Sequence, residues 1–454
     1  MAKQKRTTFS SRLGFVLAAA GSAVGLGNIW RFPYLAARHG GGIFLVVYLA
    51  LVFTLGFCLM ITENAIGRKT GLSVIGAFRS LNRRWTFLGV LAACVPVIIM
   101  PYYCVIGGWV VKYFADYITG MGPAAAADGY FGDFVADPVM PMVWLTVFAT
   151  VTALIIILGV KRGIESASKI LMPMLIVLTI VVAVYSLTLP GAADGVAYLF
   201  VPDFSQFSGE TILAALGQMF YSMSLAMGIM VTYGSYMKKS ENLDKAVKQI
   251  EWFDTGMAIL AGLMIIPPVF VFSGGDESAL TAGPSLMFIT MPKVFASMGG
   301  AGSVIGAVFF LLVIFAALTS AMSLMETVVS IVRDKLQYSR TKATISVYLF
   351  TLLLAVPSTL GFGVWSNVQL FDMSFLDFFD YISNSVLMPI VAILTTVFVG
   401  FVLTPKVIID EVTLSGEFRR RHFYAVFIKW IAPVLLAAIL ISTILQSAGI
   451  LAQF

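Results

Sequence analysis

Apolar residues fall into eleven long blocks, at about 11–37, 42–67, 87–119, 139–159, 163–189, 209–237, 245–272, 301–334, 343–360, 375–403 and 423–449, with charged residues gathered between them. Within a block the apolar positions run on continuously instead of alternating with polar ones. The pattern therefore predicts helices and argues against the strands of a membrane β-barrel. Most blocks reach or exceed the roughly 20 residues that a helix needs to cross a bilayer. The longer connections are 120–138, 190–208 and 274–300; the third reads as a short helical hairpin around Gly283 and Pro284, a candidate lid. No stretch is polar enough to form a separate soluble domain, so residues 1–454 are expected to make one all-α integral membrane domain.

Charge orients these blocks. With the N-terminus in the cytoplasm, only Arg31, Arg38, Lys112 and Lys293 among the 29 Lys and Arg fall on the outer side. Arg68, Lys69, Arg83, Arg84, Lys161, Arg162, Lys238, Lys239, Arg333, Lys335 and the cluster at 419–421 all fall inside. An excess of Lys and Arg in cytoplasmic loops is what orients a membrane protein. Eleven crossings then put the C-terminus outside.

Composition closes off other classes. The chain is 59% hydrophobic and 11% charged, against about 25% charged in soluble proteins. The net charge of +6 sits at block ends rather than on one basic face, so no nucleic-acid partner is expected. Cys58, Cys94 and Cys104 lie inside apolar blocks, and the two histidines, His39 and His422, are far apart. No disulfide framework, metal cluster or catalytic triad is readable, and the chain is not expected to be an enzyme. Lys3, Lys5, Arg6 and Arg12 precede an Ala-rich run, as in a secretory signal. That run continues through Gly25, Gly27, Asn28 and Arg31, and is expected to remain in the protein.

Two blocks are interrupted at mid-depth. The first carries Gly21-Ser22-Ala23-Val24-Gly25-Leu26-Gly27-Asn28, and the sixth Ser222-Met223-Ser224-Leu225-Ala226-Met227-Gly228. Glycine and asparagine are poor helix formers. Broken backbone is tolerated at membrane depth only where it lines a cavity inside the protein. An opened turn frees carbonyl oxygens for a cation and amide N–H groups for a carboxylate. Breaks at corresponding positions of two halves point to a transporter's binding site.

The segment Gly21 to Phe44, GSAVGLGNIWRFPYLAARHGGGIF, together with Tyr102-Tyr103, the stretch from Gln218 to Tyr233, Ala316-Ala317-Leu318-Thr319-Ser320 and Asp377, resembles the neurotransmitter:sodium symporter family and its LeuT fold. The eleven-block length is similar to the bacterial branch, and to its multi-hydrophobic amino acid transporters. The resemblance implies a 5+5 inverted repeat, about 11–189 and 209–403, with an extra helix at about 423–449, in a bacterial cytoplasmic (inner) membrane. It also implies alternating access with two Na+ ions as co-transported cargo. The first ion would be held by Ala23, Asn28, Ser222 and Asp254, completed by the substrate carboxylate. The second would be held by carbonyls of Gly21, Val24 and Ala316 and the hydroxyls of Thr319 and Ser320. Carbonyls and hydroxyls bind such an ion weakly enough to release it.

Asp254 departs from the family, which more often has an amide there. Chloride-dependent members resemble this chain at Tyr48, Gln218 and Ser222, but carry a hydroxyl where Ala258 stands. The expectation is that Asp254 supplies the negative charge and that chloride is not required. The substrate pocket implied by the resemblance comprises Ala23, Gly25, Leu26, Gly27, Ile99, Tyr103, Tyr221, Ser222, Ser224, Met227, Ser320 and Leu324. Monoamine carriers of the family have an aspartate at the position of Gly25, so glycine favours a substrate that brings its own carboxylate. Apolar walls and the adaptable Met227 favour neutral aliphatic and aromatic L-amino acids; a carrier of another small amine or osmolyte is the alternative. Arg31 and Asp377 match an outer gate, with Asp380 one turn later as a rival. Arg6 and Asp334 match an inner gate, with Phe9 and Tyr236 nearby. Gly163 and Pro173 mark a stretch of the fifth block expected to unwind. The small amino acid and the bilayer are the expected partners, with no obligatory protein partner.

Overall fold

The computed structural model describes residues 7–275 and 284–447. Among these residues there are no named strands, and nine helices are long and apolar enough to span a membrane. The first block is a bent pair, α1 (Arg12–Ala23) and α2 (Gly27–Arg38), at 50° to each other. Next come α3 (Gly42–Thr70), α4 (Arg83–Ile118), α5 (Met140–Ile157) and α6 (Val160–Leu187). The sixth block is also two pieces, α7 (Gly209–Ser222) and α8 (Ile229–Gly234). Then follow α9 (Leu243–Ser273), α10 (Gly300–Leu336), α11 (Arg340–Leu360), α12 (Phe375–Leu403) and α13 (Arg421–Ile441).

Local chemistry accounts for the ends of these pieces. Ser11 caps α1 by accepting a hydrogen bond from the Gly14 amide. The helix stops where Val24 turns to extended backbone, φ −77° and ψ 95°. Ser208 and Thr211 form a reciprocal cap at the start of α7. Between α7 and α8, Ser224, Ala226 and Gly228 all have positive φ, at 53°, 60° and 71°. Two of these are not glycine, and such backbone costs on the order of 1–3 kcal/mol per residue unless its surroundings enforce it. Here Glu63 of α3 accepts the Ala226 amide at 2.7 Å, and both residues are buried.

The broken pieces occupy the middle of the molecule. Every residue from Gly14 to Trp30 is buried, and α1 packs against α6, α9 and α10. The outermost helices carry large exposed apolar side chains, among them Leu154, Val177, Leu349 and Val434; a lipid environment accounts for that exposure. The expected weak point of the fifth block is a widened turn at Val160–Glu165. A side-chain carbon at Gly163 would lie 2.0 Å from the Ile155 carbonyl oxygen, so only glycine lets α6 leave α5 this closely. Connections read as loops from the sequence contain short helices at Gly122–Ala125, Tyr130–Ala136 and Ala192–Phe200. In the third long connection Leu286–Ser297 is helical; the anticipated turn at Gly283 lies outside the described residues.

Candidate functional site

Both breaks open onto one cavity. Its wall comprises Ala23, Gly25, Leu26 and Gly27 from the first break, Ile99 and Tyr103 from α4, and Tyr221, Ser224 and Met227 around the second break. Ser320 and Leu324 of α10 complete the group. Eleven of the twelve residues singled out for the pocket therefore come together; Ser22, Ile229 and Ser323 join them without having been anticipated. The atom-free space is about 320 Å³, near the lower end for a small-molecule site. The Leu26 amide points at the Tyr103 hydroxyl, 3.5 Å away. A side-chain carbon at Gly25 would lie 2.3 Å from the Ser320 hydroxyl, which would have to turn away to admit it.

Ser222, the twelfth residue, faces away from this wall into a polar cluster. Its hydroxyl lies 2.6 and 2.7 Å from the two carboxylate oxygens of Asp254. Asn28 donates to Asp254 Oδ1 at 2.8 Å, and the Tyr48 hydroxyl donates to Oδ2 at 3.1 Å. Gln218 donates to the Gly27 carbonyl at 2.9 Å. Asn28, Tyr48, Gln218, Ser222 and Asp254 are all at most 1% exposed. A buried carboxylate is tolerated only when its oxygens are satisfied, and here three side chains converge on it.

On the other flank of α1, Thr319 and Ser320 approach Gly21. A side-chain carbon at Gly21 would lie 3.1 Å from Thr319 Cβ. The Ser320 hydroxyl donates towards the carbonyls of Ser22 (3.1 Å) and Gly21 (3.4 Å). Thr319 donates to the Phe315 and Ala316 carbonyls, 3.0 Å in each case, which is the usual bond of a helical hydroxyl. Val24 ends α1 within the same region, its amide bonded to Ala20.

At the outer end the two acids of α12 have different partners. Asp377 is the third residue of the short helical start of α12, and its carboxylate accepts from the capping Ser374 hydroxyl at 2.7 Å. Asp380, one turn later, is the carboxylate whose field reaches Arg31, and it is held by Tyr102 (3.1 Å) and Asn384 (2.5 Å). Arg31 also lies over the Tyr221 ring, 5.2 Å from its centre. At the inner end Asp334 accepts the Ser73 amide at 2.8 Å, while Arg6, its anticipated partner, lies outside the described residues. Phe9 packs edge-on against Phe15, Tyr233 and Tyr236. Beneath it Glu326 is bridged by the Tyr236 hydroxyl (2.7 Å) and by Arg340 (2.5 Å). Tyr236 was expected here, but Glu326 and Arg340 were not, because along the sequence they resemble ordinary charges near a helix end.

The sequence profile of the sodium:neurotransmitter symporter family matches residues 6–131 and 132–452. The chain belongs to this family. It is 34% identical over 451 residues to the sodium-dependent transporter YhdH of Bacillus subtilis, covering 98% of this chain and 99% of the relative. A sodium-dependent transporter of Haemophilus influenzae is 33% identical over 458 residues, covering 97% and 99%. Among solved structures, MhsT in complex with L-phenylalanine superposes with a TM-score of 0.89 at 38% identity, covering 97% of this chain and all of that one. The protein is therefore a sodium-dependent, multi-pass membrane transporter with the LeuT fold, and symporters of this family are not enzymes.

Proposed function

We propose that this symporter imports neutral L-amino acids with hydrophobic side chains, drawn by two sodium ions, across a bacterial cytoplasmic membrane. The observation that carries this reading is the cavity between the two helix breaks, flanked on one side by Asn28, Ser222 and Asp254 and on the other by Gly21, Thr319 and Ser320. The Leu26 amide and the Tyr103 hydroxyl suit a substrate carboxylate. Gly25 supplies no side-chain acid to pair with an amine substrate. The phenylalanine bound to MhsT is in keeping with an apolar side chain.

In this reading the first ion takes the Ala23 carbonyl, Asn28, Ser222 and Asp254, and Asn28 turns its amide oxygen towards the ion. The second takes the carbonyls of Gly21, Val24 and Ala316 with Thr319 and Ser320. Asp254 already receives the hydroxyls of Tyr48 and Ser222, so a fixed carboxylate does the work of an added anion and transport needs no chloride. The outer cover is Arg31 with Asp380 above Tyr221. The inner cover is Asp334 with the N-terminal segment. Residues 11–189 and 209–403 act as inverted halves that rock about the site, with the N-terminus inside and the C-terminus outside. The test is uptake of radiolabelled leucine, phenylalanine and tryptophan into proteoliposomes with sodium outside and potassium inside. Sodium-driven accumulation above equilibrium, lost in Asn28→Ala and Thr319→Ala, is expected. No accumulation of any amino acid would overturn the reading.

A further inference from the structure

The cavity floor is not apolar. Ser22, Ser224, Ser320 and Ser323 line it together, each at most 7% exposed. Their protons are committed within the protein. Ser224 donates to the Ser22 carbonyl at 2.9 Å, Ser320 to the same carbonyl at 3.1 Å, and Ser323 to the Ser320 carbonyl at 2.7 Å. The Ser22 hydroxyl donates to Ser323 Oγ at 2.7 Å, with Ser224 Oγ at 3.0 Å as the alternative. A hydroxyl carries one proton but two lone pairs. With the protons so placed, the serine oxygens keep lone pairs free as acceptors. Ser22 is its hub: no described group donates to its Oγ, although Ser22 is only 3% exposed.

Resting on the amino-acid reading above, we infer that this serine floor selects a hydrogen-bond donor on the side chain of the transported amino acid, with Ser22 Oγ as the principal acceptor. The preferred class is an otherwise apolar side chain carrying one N–H or O–H, as in tryptophan, tyrosine or threonine. A purely hydrocarbon side chain would cover the Ser22 lone pairs without replacing the water they lose, and a buried polar atom left unpaired weakens binding. A carboxylate side chain finds no donor at the floor and is rejected. The Met227, Ile99 and Leu324 walls still exclude strongly polar side chains. The selectivity is therefore for amphipathic side chains, narrower than hydrophobic ones in general.

Isosteric pairs test this without altering the protein. Threonine and valine differ by a hydroxyl against a methyl group; tryptophan and benzothienylalanine differ by an indole N–H against sulfur. Sodium-driven uptake of each, and its competition against phenylalanine, would be measured in proteoliposomes. The donor-bearing member is expected to be favoured about three- to tenfold, the range of one neutral hydrogen bond. In Ser22→Ala, and in Ser22→Cys, whose thiol is a poor acceptor, the ratio should fall to about one. Equal treatment of both members by the wild type would overturn the inference and leave the amino-acid reading standing; it is also the result expected if the floor serves the α-ammonium instead. A ratio unchanged in Ser22→Ala would overturn the assignment to Ser22. Absence of sodium-driven uptake for every amino acid would remove the reading itself, and the inference with it.

Discussion

Single residues decide the ion chemistry. Asp254 is a carboxylate at a depth where charge is expensive, and all the donors around it are already aimed at its two oxygens. Wild-type uptake should be the same in chloride and in gluconate. Asp254→Asn removes the fixed charge but keeps the shape, and its uptake should fall at least tenfold in gluconate and recover partly with chloride. Chloride stimulation of the wild type, with Asp254→Asn behaving identically, would refute this. The two acids at the outer gate separate in the same way. Asp377→Asn loses only part of a helix cap, worth on the order of 1 kcal/mol, and should transport nearly normally. Asp380→Asn leaves Arg31 without its carboxylate and should raise the KM or lower the kcat severalfold. The sequence favoured Asp377 with Asp380 as its rival, since three residues of spacing on one helix fit either; the Ser374 bond to Asp377 and the place of Asp380 between Tyr102 and Asn384 are the grounds for expecting the reverse.

At the scale of the element, the breaks in α1/α2 and α7/α8 are held open by particular partners. Ala226 and Ser224 sit in left-handed backbone, and the Ala226 amide has no helical acceptor other than Glu63. Glu63→Ala strands that amide inside the protein at a cost of about 1–3 kcal/mol. It should lower the thermal midpoint in detergent and abolish uptake, whereas Glu63→Gln should retain part of both. Gly163→Ala tests the start of α6, where the Ile155 carbonyl leaves no room for a methyl group. It is expected to destabilise the cytoplasmic end of α6 and slow uptake, with hydrogen exchange rising over residues 158–166; unchanged exchange and uptake would show that the close approach is dispensable. The first break was legible from its glycines and Asn28 at mid-depth, and the second from its small and hydroxyl residues. Glu63 was not, because nothing in its neighbourhood along the chain connects it to residue 226.

In the proposed function, the whole molecule couples ion movement to substrate movement through the cavity between the two breaks. Two sodium ions crossing about 100 mV release about 4.6 kcal/mol, and a tenfold gradient adds about 1.4 kcal/mol per ion. The sum could sustain a zwitterion gradient on the order of 10⁵. Uptake should therefore be electrogenic. A reversal-potential measurement in proteoliposomes should give two charges per amino acid, and one charge would remove an ion site from the scheme. Hydrophobic blocks, loop charge and the Gly21–Phe44 motif were enough to determine the all-α membrane architecture, the family and most of the cavity wall. Those features depend on solvent partition and on local backbone preference, which short stretches of sequence carry by themselves. The hydrogen-bond partners of Asp254, the different neighbours of Asp377 and Asp380, the Glu326–Arg340–Tyr236 bridge and the cluster of four serines were visible only in the tertiary structure. Each joins groups from different helices, and a hydrogen bond's direction and partner depend on distances that no sequence spacing encodes.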